Sequence, residues 1–102
     1  MSLVPLGLDF DAASRVLAVT GDVDEAQAAD LRVAIDEHSG GCTTDLVVDL
    51  SAVTYLPSAA VGVLARASQR FETVGTTFEL AVAAGSVAQR VLQVCAMPHR
   101  SY

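Results

Sequence analysis

The sequence predicts an α/β domain, with a mixed central sheet of about four strands and three helices packed on it. Two observations carry this. Short apolar runs of period two alternate with longer stretches whose apolar residues recur every three to four positions. Two strand-like runs come first, joined by a short link, and each later strand is set off from the next by a helical stretch. The order is therefore ββαβαβα. The first pair forms an antiparallel hairpin, and the later strands pair in parallel through right-handed crossovers.

Each element has its own signal. Leu6, Leu8 and Phe10 alternate with Gly7 and Asp9, which gives the first strand. Asp11-Ala12-Ala13-Ser14 is turn-like, and Val16–Thr20 is the second strand. Gly21-Asp22-Val23-Asp24 breaks that strand, and Asp24 caps the first helix with Gln27 in the reciprocal position. Ala28, Leu31, Ala34, Ile35 and His38 share one helical face, and Gly40-Gly41 ends the helix. Leu46–Leu50 is almost uninterrupted and rich in valine, as expected of a central strand.

Ser51 to Ser58 reads as the connection that follows. Ser58 is placed at the helix start, where its hydroxyl would accept from the amide of Ala60 or Val61. Ala60, Val61, Leu64, Ala67, Phe71 and Val74 mark the second helix, stopped by Gly75. Phe78, Leu80 and Val82 give the fourth strand, and Ala83-Ala84-Gly85 turns the chain. Ser86 with Gln89 repeats the capping pattern, and Ala88, Val91, Leu92 and Cys95 stripe the third helix.

At 102 residues the chain is read as one domain over residues 1–102. A hydrophobic fraction of 52% against 18% charged residues argues against disorder. The longest apolar run, Ala59–Ala65, is far too short to insert in a membrane. Met1–Pro5 has neither the basic start nor the apolar core of a secretory signal, so a cytoplasmic location is expected. The net charge is −6, lysine is absent, and the first 51 residues carry ten acids against two arginines. That acidic half repels phosphate backbones, so no nucleic-acid partner is expected. Cys42 and Cys95 form no CxxC pair and are expected as free thiols.

Catalytic signatures are missing. Without lysine there is no phosphate-binding P-loop, and no GxGxxG occurs, so no cofactor is expected. Asp22-Val23-Asp24-Glu25 lacks the spacing and glycine of a calcium loop and reads as a turn and a cap, with no metal. Ser58 lies in Leu56-Pro57-Ser58-Ala59-Ala60, not in a GxSxG elbow, and His38 and His99 are the only candidate bases. The chain is not expected to be an enzyme. What remains is a serine at a helix start, where exposed amides and the helix dipole favour a phosphate.

Together, the element order, the Gly21–Asp24 turn and the run Leu46 to Leu56 leading into a helix-starting serine resemble a STAS domain of the SpoIIAA-like type. The resemblance extends from about Leu6 to Met97 and is nearest to the bacterial anti-sigma-factor antagonists. It implies a partner-switching regulator of transcription. Such antagonists bind an anti-sigma factor that is also a serine kinase, and phosphorylation of their Asp-Ser-Ser/Thr-Gly loop releases it. Here those four positions read Pro57, Ser58, Ala59 and Ala60. The usual acceptor position is Ala59, which has no hydroxyl, so Ser58 is the only phosphorylation candidate in the loop. The resemblance implies a partner-binding surface of Asp22, Asp24, Tyr55, Leu56, Pro57, Ser58, Ala59, Ala60 and Gly62, not switched at the usual site.

An alternative implied by the same resemblance is an accessory subunit docking the ATPase of an ABC-type lipid transporter. STAS domains usually add a final strand after the third helix, but four residues follow Pro98 here. The final strand is therefore expected to be missing or very short. The sheet edge left open would be covered by a partner or by a second copy in a homodimer.

Overall fold

The computed structural model describes residues 7–101. The elements run β1 (Gly7–Asp11), β2 (Val16–Asp22), α1 (Glu25–His38), β3 (Leu46–Tyr55), α2 (Ser58–Val74), β4 (Phe78–Val82), α3 (Val87–Val94) and β5 (Arg100–Ser101). They form one sheet in the order β1-β2-β3-β4-β5. β1 is antiparallel to β2, and every other pairing is parallel. The expected fold class holds, with a fifth strand of only two residues. Leu6, the first residue assigned to the opening strand from sequence, lies outside the described residues.

Register explains the core. Phe10 pairs with Leu17, Leu17 with Val48 and Val48 with Leu80, so one row of apolar side chains crosses four strands. Leu17, Val48 and Leu80 are buried beneath the helices. The adjacent row on the opposite face reads Asp9, Ala18, Asp49, Ala81 and Arg100, mixing small and charged residues. α1 packs along α2, and Leu31, Ile35, Leu64 and Phe71 project from the pair into the core. The Phe71 ring stacks on Phe78 with centroids 4.8 Å apart, tying α2 to β4.

Several local details differ from the sequence reading. β2 continues through Gly21 and Asp22 instead of breaking at Gly21. β3 continues to Tyr55 instead of ending at Leu50. The two extensions pair with each other, Gly21 with Val53 and Asp22 with Tyr55, across an irregular register. Gly21 has φ +84°, a left-handed geometry that glycine adopts without the cost of a Cβ. Val74 and Cys95, assigned to buried stripes, are exposed. They sit at the last residue of α2 and the C-cap of α3, where each helix runs off the core. His38 stacks on Phe10 with centroids 4.2 Å apart, which makes it a packing residue at the end of α1. α1 closes at Ser39, whose buried hydroxyl donates to the Ile35 carbonyl and accepts from the Cys42 amide. Both cysteines are free, as expected.

Candidate partner-binding site

The neighbouring C-terminal ends of β2 and β3 bring two separate segments together. The Val23 amide donates to the Tyr55 carbonyl at 3.3 Å. The Thr54 hydroxyl donates to the Asp22 carboxylate. These bonds clip the turn before α1 to the loop before α2. Val23 and Leu56 are buried on the two sides of the clip and anchor it in the core.

Each half then feeds a helix. Asp24 is the N-cap of α1, and its carboxylate accepts from the Gln27 amide at 2.7 Å. Gln27 returns the bond to the Asp24 amide, completing the capping box expected from sequence. At α2 the expectation fails. The N-cap is Pro57, Ser58 is the first helical residue, and no side chain caps the helix. The reason lies in where the ladder begins: the Val61 amide bonds the Pro57 carbonyl at 3.1 Å, which places Ser58 inside the first turn. Its hydroxyl is thus displaced from the amides it was expected to satisfy.

The nine residues assigned to the surface divide into three groups. Tyr55 (54% exposed), Ser58 and Asp24 at the α1 start are exposed to solvent. Asp22, Pro57, Ala59 and Gly62 are half-buried. Leu56 and Ala60, at 3% and 0% exposure, are core residues that shape the surface from below and cannot touch a partner.

Sequence reasoning missed two contributors. Thr54 orients Asp22, a role visible only once both strand extensions are known. Arg66 folds its guanidinium back over Gly62, where an added Cβ would lie 3.4 Å from Nη1 and 3.5 Å from Nη2. The exposed face therefore carries an aromatic ring, a free hydroxyl and carboxylates, with the Arg66 guanidinium at its Gly62 edge. Among the described residues no cluster of His, Cys, Asp and Glu could hold a metal ion.

This fold and this junction place the chain in a known class. The family described as "Mlab, STAS domain" matches residues 6–97, and the chain belongs to the STAS family. Over 80 residues it is 38% identical to the anti-sigma-F factor antagonist RsfB of two Mycobacterium tuberculosis strains. That match covers 78% of this chain and 63% of RsfB, so the chain spans less than two-thirds of the curated relative. A crystal structure of an anti-sigma factor antagonist from Mycobacterium paratuberculosis shares the fold at a TM-score of 0.72 and 22% identity, covering 94% of this chain and 84% of that one. The unphosphorylated form of the anti-sigma factor antagonist SpoIIAA shares it at 0.65 and 16%, covering 96% and 87%.

Proposed function

We propose that this chain is an anti-sigma-factor antagonist that binds a kinase-type anti-sigma factor. The contact surface is Tyr55, Pro57, Ser58, Ala59 and Gly62 with Asp22 and Asp24 alongside; Leu56 and Ala60 support it from the core. The observation that carries the reading is the clip between Asp22–Val23 and Thr54–Tyr55, which joins an acidic turn to an uncapped helix start. The 38% identity to RsfB supports the same reading over the transporter-subunit alternative.

Ala59 removes the hydroxyl from the usual acceptor position. Binding is therefore regulated by something other than a phosphate at residue 59. Ser58 carries the one hydroxyl among Pro57, Ser58, Ala59 and Ala60 and is the candidate for a displaced acceptor. Isothermal titration against purified kinase-type anti-sigma factors from the same genome tests the binding. Saturable one-to-one association is expected, and no association with any of them would refute the reading. Incubation with the bound kinase and ATP, followed by peptide mass spectrometry, tests the acceptor. An unmodified Ser58 after full turnover would remove it as a phosphorylation site.

A further inference from the structure

The acidic chain carries one concentrated basic feature, and it lies along the helices. Arg32 on α1 and Arg66 and Arg70 on α2 line a cavity of about 110 Å³ between the two helices. Its floor is Ile35, Val63 and Ala67, all buried. Past Arg66 and Arg70 it opens into a shallow depression of about 500 Å³ toward Thr73 and the exposed Val74. Half of the six arginines of a chain with net charge −6 thus converge on one apolar groove.

Arg70 is held by Asp36 at 3.3 Å, and the carboxylate offsets part of its charge. The other ion pair among the described residues is Arg100 with Glu79, so neither Arg32 nor Arg66 is paired. The Arg66 guanidinium lies over Gly62 on the helix surface, exposed and with its donors uncommitted among the described residues. The planar fork of an uncommitted arginine can take both oxygens of a carboxylate.

We propose that this groove docks an acidic peptide segment of a partner protein. An aliphatic side chain of that segment sits on the Ile35–Val63–Ala67 floor, and flanking carboxylates meet Arg32 and Arg66. Charge complementarity selects the occupant. A nucleic acid or an anionic membrane would bring its phosphates against a molecule that is acidic as a whole, whereas a short peptide engages the groove alone. The inference goes beyond the antagonist reading and stands without it.

The test is an amide-resolved NMR titration of the full chain with a synthetic peptide of six glutamates around one central leucine, at low salt. Saturable shifts at Arg32, Ile35, Val63, Arg66 and Ala67 are expected. R32E/R66E should weaken binding at least ~10-fold. R32K/R66K, which keeps the charge but loses the planar fork, should bind more weakly than the parent and more tightly than R32E/R66E, and Tyr55→Ala should leave binding unchanged. If the charge-reversed pair fails to fold, R32A/R66A gives the same readout and should also weaken binding. The proposal is overturned by absent shifts in the groove or by unchanged affinity in the reversed or alanine pair. Equal binding of a lysine-for-glutamate peptide or of an oligothymidylate, or groove shifts that follow protein concentration alone, would overturn it as well. Loss of anti-sigma-factor binding in Tyr55→Ala with peptide binding intact separates the two readings.

Discussion

The starts of α1 and α2 stand on the ends of neighbouring strands, and the sequence treats them in opposite ways. At α1, Asp24 and Gln27 satisfy each other's amides and Glu25 adds negative charge to the first turn. At α2, Pro57 offers no side-chain acceptor and the first turn holds no acid. α3 follows α1, with Ser86 accepting from the Gln89 amide. Its reciprocal bond slips by one residue, because Gln89 accepts from Gly85 and not from Ser86. The one helix left uncapped is thus the one whose first turn faces the candidate surface. α2 tolerates this because it runs 17 residues and buries six of them, so packing holds it where α1 relies partly on its cap. The solvent-facing Ser58 and the half-buried Ala59 at this end have amides with no side-chain acceptor.

The contrast predicts different sensitivities at the two starts. The largest effect belongs to the residue that replaces capping as the anchor of the open end. Leu56 is 3% exposed directly before Pro57. Leu56→Ala should cost about 2–5 kcal/mol in urea unfolding, by lost burial and a cavity. A cost under about 1 kcal/mol would mean that the loop is held by its backbone bonds alone.

Tyr55 probes the surface and not the anchor. It is half exposed at the end of β3, and its backbone carbonyl, not its ring, closes the clip. Tyr55→Ala should leave stability within about 0.5 kcal/mol. It should weaken binding of the anti-sigma factor about tenfold or more, as truncating a central aromatic does. Unchanged affinity by calorimetry would move the contact surface elsewhere.

The capped start comes next. Asp24→Ala should cost about 1 kcal/mol, within the ~0.5–2 kcal/mol range of lost caps. For a domain of this size that lowers the melting temperature by roughly 4–8 °C. The effect should be visible by circular dichroism, without change in partner stoichiometry.

These predictions also mark what could be read from the sequence. The strand and helix order followed from periodicity, because Leu17, Val19, Val48 and Leu80 alternate cleanly with residues of the opposite face. The α1 capping box followed from local spacing between Asp24 and Gln27. The extensions of β2 and β3 could not be read in the same way. Ser51, Ala52 and Thr54 look like loop residues, and they join a strand only because Thr20, Gly21 and Asp22 lie beside them. That pairing depends on a left-handed glycine and an irregular register, neither of which has a periodic signature. The Ser58 cap was misplaced for a related reason. Serine at a helix boundary fits either the cap or the first turn, and the Pro57 carbonyl decides by starting the ladder one residue earlier.

Ser58 supplies the smallest and sharpest comparison with α1. Its hydroxyl is exposed and bonds no amide of α2, so Ser58→Ala should change stability by less than about 0.5 kcal/mol. A loss near 1 kcal/mol, matching Asp24→Ala, would mean that the hydroxyl caps the helix in solution and that the two starts are equivalent. Ser58→Asp carries the argument to charge. An acid at the first helical position meets the positive end of the dipole and should add about 0.3–1 kcal/mol. The same variant places negative charge on the surface proposed for the anti-sigma factor and should weaken that complex. A rise in stability together with a fall in affinity would show that this helix start accepts an anion in the free protein and repels it from the complex. That is the physical requirement for a switch at residue 58 with alanine at residue 59.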